Sequence, residues 1–439
     1  MVPKADSHDE VSMISIEEKR ETTIQTIQSL STDGYYLNEN ARKQLHKYQY
    51  NGTDLSLLYQ YILSPLAAFL VNTVVPKSMA PNTVTSIGLI WMITSYLLYW
   101  FYVPTLEITR NDDDDYEESF ASVPRWIFLW NGISILAYQT LDNMDGKQAR
   151  RTQSSSPLGL LFDHGCDAIN SIFGSANVII GLSLTPREDM FEIWLLIFGP
   201  FALFYITTWE QFYTGKLIMP IINGPSEGLV AAAGLSFVSY WFGYQYWQET
   251  GWFDAFESKF SIFSLQAVTG GVHLRNYDFV VIFLAVGAFQ EIVLKCFFVV
   301  QKYKRSAVDL IPFFVFSFCY LVIGWIDPEV WLAIPRTSLH LAMVLFVEMS
   351  CELMLAHVTA QSFNPWRWQV VPLIGITIWV AIFGNSDVLQ YLIVGYAWSM
   401  GAYLTMKYVC VIHEICDVLK IWCFDITTPY YKKIATSNK

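Results

Sequence analysis

Ten stretches of the chain, at about 83–103, 125–143, 157–184, 189–211, 226–247, 278–300, 309–326, 338–358, 367–384 and 389–411, are apolar almost throughout. Each is close to the ~20 residues that a helix needs to cross a ~30 Å hydrocarbon core. Inside that core a helix satisfies its backbone donors and acceptors without outside help. This feature predicts an all-α, polytopic membrane protein with about ten transmembrane helices. Composition points the same way, because only 15% of the 439 residues are charged while 53% are hydrophobic and 16% aromatic. Those values are foreign to an ordinary soluble enzyme.

Orientation follows from Lys and Arg, which concentrate in cytoplasmic loops. With the N-terminus in the cytosol, the cytoplasmic segments carry Arg42, Lys43, Lys47 and Lys77, then Lys147, Arg150 and Arg151, then Lys216, then Lys302, Lys304 and Arg305, and finally Lys432 and Lys433. The opposite side receives the acidic run NDDDDYEE, the PRED turn and the long 248–277 loop. An even number of spans leaves both termini cytosolic.

Residues 54–76 have the length of a span but carry Pro65 in the middle, where proline interrupts a helix. Counting them as a crossing would also move the cluster around Arg42 outside. They are read as one or two helices lying in the interface. The first 30 residues are polar and lack the layout of a secretory signal, so no cleaved signal peptide is expected there. All seven cysteines fall in predicted spans or cytoplasmic segments, so no disulfide framework is expected. Asn51-Gly-Thr53 matches a glycosylation acceptor but lies in a cytoplasmic segment, and is expected to be bare.

Against this background, residues 142–167, DNMDGKQARRTQSSSPLGLLFDHGCD, hold four aspartates. Asp142 and Asp145 are three apart at the cytoplasmic end of the second span; Asp163 and Asp167 are four apart, entering the third. Each pair faces one way on its helix. The stretch 146–157 is read as a short cytoplasmic turn that returns the chain antiparallel, so the two pairs converge. Four carboxylates within ~6 Å repel by roughly 3 kcal/mol per pair at an effective dielectric of 20, or on the order of 15 kcal/mol over six pairs. Protonation, divergent orientation or bound cations must relieve that repulsion. Oxygen-only ligands suit Mg²⁺, Mn²⁺ or Ca²⁺ rather than zinc, and two such ions clamp a pyrophosphate well during in-line displacement. Taken singly, Asp142 and Asp145 could mark a helix end, and Asp163 could pair with Arg150. Gly146 and Ala149 leave room beside the first pair for a flat group or a phosphate, and Gly159 allows close helix approach.

The spacing D-x2-D-G-x2-A-R-x8-G-x3-D-x3-D, filled by Asp142, Asp145, Gly146, Ala149, Arg150, Gly159, Asp163 and Asp167, resembles the signature of the CDP-alcohol phosphotransferases. The flanks DGKQARRT, SSPLG, LFDHGCD, WEQFYTGKL and NGPSEGL resemble the eukaryotic choline/ethanolamine phosphotransferase branch, from about residue 40 to about 425. The resemblance implies that the aspartates hold two Mg²⁺ or Mn²⁺ ions over the pyrophosphate of CDP-ethanolamine or CDP-choline, with cytidine near the small residues. It implies attack by the 3-hydroxyl of diacylglycerol on the β-phosphate, giving phosphatidylethanolamine or phosphatidylcholine plus CMP. Asn82 in APNTVT and Gln139 in YQTLD resemble further nucleotide contacts of the family.

The implied organisation is a disordered cytoplasmic N-terminus (1–35), cytoplasmic interfacial helices (36–78), a catalytic transmembrane core whose six helices span 79–305, additional helices (306–412) that offer a dimer interface, and a cytoplasmic tail (413–439). The expected home is the endoplasmic reticulum or another endomembrane, with the bilayer as partner, a homodimer as assembly and no nucleic acid.

The chain departs from the branch at Leu160. The family's usual residue after the glycine is glutamate, PLGELFDHG, where this chain reads PLGLLFDHG. If that carboxylate handles the proton of the attacking hydroxyl, His164 or Asp167 must replace it here, although a histidine beside a helical carboxylate is often only structural. Glu227 in NGPSEGL either contacts substrate or caps the fifth span. Glu210 either recognises the headgroup or is an ordinary interfacial acid. His413, Cys416 and Cys423 lack zinc spacing. The sixteen tryptophans suit interfacial belts, with an aromatic box for a quaternary ammonium as an alternative. Two other classes compete with the enzyme. A transporter rests only on ten spans with buried acids, and the lack of a detectable repeat weakens it; a catalytically silent scaffold rests on Leu160.

Overall fold

The structure, a computed structural model, describes residues 36–108, 123–259, 273–304 and 306–430. The N-terminal segment 1–35, the acidic run after residue 109, Arg305 and the lysines at 432 and 433 lie outside the described residues. In chain order the helices are α1 (Glu39–Leu45), α2 (Ser64–Thr73), α3 (Pro81–Tyr102), α4 (Trp126–Thr152), α5 (Pro157–Gly181), α6 (Met190–Thr214), α7 (Leu229–Phe242), α8 (Gly251–Lys259), α9 (Asn276–Lys302), α10 (Ile311–Ile326), α11 (Glu329–Leu332), α12 (Pro335–Thr359), α13 (Val371–Phe383) and α14 (Asp387–Leu419). Two three-residue strands, β1 (Gly52–Asp54) and β2 (Leu217–Met219), pair in parallel and clasp the N-terminal segment to the loop after α6. The chain is an all-α, multi-pass membrane protein, and each of the ten predicted spans is occupied by a helix.

Five of those helical segments, α3, α6, α9, Ser306–Ile326 and α12, are long and apolar enough to cross a bilayer by length and composition. The apolar run is diluted in α4 by two aspartates and by Lys147, Arg150 and Arg151, and in α5 by Asp163, His164 and Asp167. One boundary differs from expectation for a local reason. The fifth span was expected to run to 247, but Gly243 at φ 88° stops α7 at Phe242. The ninth, expected from 367, opens with a 3₁₀ turn at Trp368–Val370 that leads into α13 at Val371, with Pro372 in its first turn.

Depth in the bundle separates the helices. The apolar window of α12 is 83% buried, which makes it the central post, whereas that of α9 is 11% buried and turns Phe283, Phe289 and Phe297 outward. A buried charge group ties α12 to the last helices. Glu348 accepts from Arg367, from Gln369 Nε2 at 2.8 Å and from Lys407 Nζ at 3.4 Å, while Glu352 pairs with Arg367 at 3.3 Å and Lys407 at 2.8 Å. Two acids against two bases neutralise one another, which is what makes such burial tolerable.

Pro65 does not break its helix. A π-turn at Tyr59–Leu63, closed by the Ser64 N–H on the Tyr59 carbonyl, leads into α2, so the missing proline N–H falls at the seam between the two helix types. Ala67 and Val71 pack with Val84 and Met144, while Tyr61, Ile62 and Phe69 are exposed. Ser64, Val71, Val75, Pro76 and Met79 accept bonds from Lys147, Gln148 and Arg151 at the end of α4.

α1 is pinned to the end of α14 by one carboxylate. Glu414, 1% exposed in its side chain, accepts from Tyr36 N at 3.1 Å, Leu37 N at 3.2 Å and Arg42 Nη2 at 2.8 Å. Glu414→Ala removes the acceptor for two backbone donors and a guanidinium, a loss of about 2 kcal/mol or more. Hydrogen exchange at residues 36–45 is expected to accelerate while α5 keeps its protection; unchanged exchange would show that apolar packing alone holds α1. All seven cysteines are free, as expected.

Candidate active site

The aspartates converge because of how two helices end and begin. α4 persists through Thr152 and stops where Gln153 adopts φ 56°; α5 starts at Pro157, with the Ser156 side chain accepting the Gly159 N–H at 3.2 Å. The reversal is therefore residues 153–156, and the reading of 146–157 as a turn is corrected. The bonds from Lys147, Gln148 and Arg151 to α2 and the segment after it brace those extra turns of α4 as helix.

One carboxylate oxygen each of Asp142, Asp145 and Asp163 lies within 4.8 Å of the others, and the same holds for Asp163, Asp167 and a ring nitrogen of His164. Asp163 belongs to both groups. All four aspartates and His164 thus share one place at the α4 and α5 ends. Thr85 donates to Asp145 Oδ2 at 2.5 Å, and Tyr138 donates to Asp167 Oδ1. Asp142 Oδ1 and Asp163 Oδ1 are buried without a hydrogen-bond partner. Among the described residues no ion pair reaches any of the four, so the expected alternative of Asp163 paired with Arg150 is not present. Buried carboxylate oxygens with no protein cation fit either protonated acids or a hard cation site.

The small residues line the same end. A Cβ on Gly146 would sit 3.7 Å from Arg150 Nη1, so the guanidinium lies over the glycine; Arg150 itself is exposed. A Cβ on Gly159 would sit 3.7 Å from Asn82 Oδ1, which brings the α3 N-terminus to the α5 N-terminus. Ala149 is half-buried on α4 between these groups. His164 faces Phe204 of α6, ring centroids 5.7 Å apart, and its Nδ1 is buried without a hydrogen-bond partner. Leu160, one turn earlier, packs on a separate apolar cluster built from α1, α5, α12 and α14.

Other candidates are already committed. Gln139 Nε2 donates to the carbonyls of Pro225 and Ser226 at 2.7 and 2.8 Å, holding the turn before α7. Glu227 accepts from Asn223 N at 3.0 Å and Ser56 Oγ at 2.5 Å, which is the capping alternative rather than a side chain aimed at the aspartates. Glu210 bonds Lys295 Nζ at 2.5 Å, with both side chains largely buried.

Sequence reasoning missed three neighbours. Thr85 lies one turn past Asn82 and Tyr138 one turn before Asp142, so helical spacing alone could have found both. The third had no local signal: Asn82 Nδ2 donates to the Cys423 carbonyl at 3.0 Å, and Phe424 meets Phe162 edge-on at 5.4 Å, so the segment after α14 folds back over the α3 and α5 ends.

The site is thus a group of four carboxylates, without a protein cation among the described residues, at one end of a multi-pass helical bundle. The family model described as CDP-alcohol phosphatidyltransferase matches residues 78–247, which contain all four aspartates. The similarity to that family lies within residues 78–247 of the 439. It is 39% identical over 218 residues to Choline/ethanolaminephosphotransferase 1 of Arabidopsis thaliana, covering 49% of this chain and 50% of that one, so the match spans about half of that relative. It is 26% identical over 423 residues to Choline/ethanolaminephosphotransferase 1 of Saccharomyces cerevisiae, covering 90% and 98% of the two chains. Ethanolaminephosphotransferase 1 of Mus musculus is 25% identical over 410 residues, covering 90% and 96%.

Proposed function

We propose that the protein transfers phosphoethanolamine, phosphocholine or both from the CDP-alcohol to diacylglycerol, forming the phospholipid and CMP. The observation that carries this reading is the four-aspartate group, half-buried, without protein cations and flanked by Gly146, Ala149 and Gly159. The names of the relatives, which specify choline and ethanolamine phosphotransfer, support the choice of substrates.

The donor set fits two divalent ions, Mg²⁺ or Mn²⁺. Asp142, Asp145, Asp163 and Asp167 would hold them, and when bound such ions neutralise the pyrophosphate and the charge that develops on its leaving oxygen. The chain's own groups do the rest. Thr85 and Tyr138 fix one oxygen each of Asp145 and Asp167, so those carboxylates present their other oxygens in defined directions. The glycines admit the nucleotide against helix backbone, Arg150 meets phosphate charge from the exposed side, and Asn82 lines the cytidine side. Gln139 and Glu227 act one step removed, by holding the 223–228 turn. His164 or Asp167 takes the proton of the diacylglycerol hydroxyl; a ring nitrogen of His164 within 4.8 Å of carboxylate oxygens of Asp163 and Asp167 suits it to that task.

The test is direct. Protein in lipid nanodiscs, given diacylglycerol, Mg²⁺ and equal CDP-ethanolamine and CDP-choline, is expected to release CMP and one or both phospholipids, and the product ratio reports headgroup preference. No CMP from either substrate would favour the silent scaffold.

The proposed setting is the endoplasmic reticulum or another endomembrane, with the aspartate end and both termini facing the cytosol, in keeping with the cationic loops. A cysteine at Lys43, whose side chain is 67% exposed, is then expected to react with a membrane-impermeant maleimide from the cytosolic side only, and one at Arg187, 66% exposed, from the opposite side only. The reverse pattern would invert the assignment. A homodimer through the last four spans, α10 and α12–α14, completes the proposal; failure of crosslinks between these helices of two copies would remove it.

A further inference from the structure

At the end of the bundle away from the aspartates, α5, α6, α10 and α12 enclose a cavity of about 320 Å³. Ile179, on its wall, is 16 residues past Asp163 on α5, about 24 Å at 1.5 Å per residue. The cavity is thus remote from the proposed chemistry. Ile179, Phe198, Leu339 and Ala342 line it together with the rings of Trp194, Tyr320 and Trp331.

The polar atoms of those rings are already used. Trp194 Nε1 donates to the Ser317 carbonyl at 3.1 Å, Trp331 Nε1 to the Tyr320 carbonyl at 3.2 Å, and Tyr320 OH to the Ser338 carbonyl at 3.0 Å. What these rings offer the cavity is carbon. Water gains little there, and a sugar or phosphate would bury unpaired polar groups. Leaving the volume empty forfeits packing contacts in proportion to its size. Hydrocarbon is the chemistry that fits.

The mouth says where the hydrocarbon comes from. Trp325, 86% exposed, and Phe191, 54% exposed, stand at the cavity and turn outward, which in a membrane-spanning bundle means toward lipid. Beside them a rim of charge marks the membrane–water boundary: Glu188 pairs with Arg275 at 3.3 Å and Arg187 with Glu329 at 2.6 Å. The cavity lies on the hydrocarbon side of that rim, at the low end of the ~300–1,000 Å³ range of ligand pockets, so it has room for one chain and not for a whole lipid.

We propose that this cavity binds one acyl chain of a bilayer phospholipid from the leaflet opposite the aspartates, with the headgroup left at the Glu188–Arg275 and Arg187–Glu329 rim. The bound chain braces α12. That helix lines the cavity with Ser338, Leu339 and Ala342, and further along it backs α5, where Cys351 Sγ lies 3.6 Å from the Cβ position of Gly165.

The test uses the full chain in nanodiscs of phosphatidylcholine that carries a diazirine on one acyl chain, with crosslinks mapped by peptide mass spectrometry. In the wild type, label is expected on residues 331–342 as well as on outward-facing Phe283. Ala342→Phe fills the cavity and is expected to cut the label at 331–339 about five-fold or more, since a packed interior leaves no volume for the chain, while Phe283 stays labelled. Gly324→Leu obstructs the same space from α10, where a Cβ already lies 3.5 Å from Trp331, and provides a second variant if the first does not fold. Absence of label from 331–342 in the wild type, or label that survives a folded filling variant at the wild-type level, would overturn the proposal.

Discussion

Asp163→Asn is expected to abolish CMP release while the protein still folds. Asp163 is the one carboxylate in both groupings, within 4.8 Å of Asp142 and Asp145 on one side and of His164 and Asp167 on the other. Its loss would disturb both proposed ions together. The rate should fall by about 10³-fold or more, beyond the roughly 10–100-fold that losing an outer supporting group costs at a metal site. Stability should move the other way in the absence of metal. Removing one of four mutually repelling carboxylates deletes three of six repulsive pairs, each roughly 3 kcal/mol at an effective dielectric of 20. In EDTA the variant should therefore melt at or above the wild-type temperature, and added Mg²⁺ should stabilise the wild type far more. A variant that melts lower in EDTA and is inactive would only show misfolding; one that keeps full turnover would end the two-ion account. Asp145→Asn should also be inactive, with milder loss of metal affinity, because Thr85 already satisfies one of its oxygens.

The second large effect concerns the proton. With leucine at 160, His164→Ala is expected to lower kcat by about 10²- to 10⁴-fold, the usual worth of a general base, with little change in KM for the CDP-alcohol. Asp167→Asn should lower kcat as well, but with weakened metal dependence, since that group is also a proposed ligand. Leu160→Glu places a carboxylate one turn from His164 and should restore part of the His164→Ala loss. The substitution carries a structural cost, because Leu160 packs on the apolar cluster under α1 and α14, and burying an acid there is unfavourable. Full rate in His164→Ala together with no rescue by Leu160→Glu would assign the proton elsewhere. An inactive wild type revived by Leu160→Glu would make the natural protein a scaffold.

Periodicity made the helices legible, and it also made the site legible. Spacings of three and four residues put each aspartate pair on one helix face, and a short polar reversal brings the faces together whatever the rest of the bundle does. Thr85 and Tyr138 obeyed the same rule and were within reach of it. Contacts between distant segments were not legible. The fold-back of Cys423 onto Asn82, the Ser56 bond that commits Glu227, and the Lys295 partner of Glu210 join residues separated by 341, 171 and 85 positions, and no local pattern encodes them. Pro65 shows the same limit: its cost as a helix breaker is real, but a π-turn that closes on Tyr59 absorbs it, so the helix changes type there and continues.

The most direct test of the central claim is to count ions. Metal-free protein in nanodiscs, titrated with Mn²⁺ and followed by electron paramagnetic resonance, is predicted to take up two Mn²⁺ with the spectrum of a coupled pair in the presence of CDP-ethanolamine, and to lose the coupled signal in Asp163→Asn. Wild-type protein that binds no Mn²⁺, or the same Mn²⁺ with and without Asp163, would contradict the claim that these four aspartates form a two-metal site.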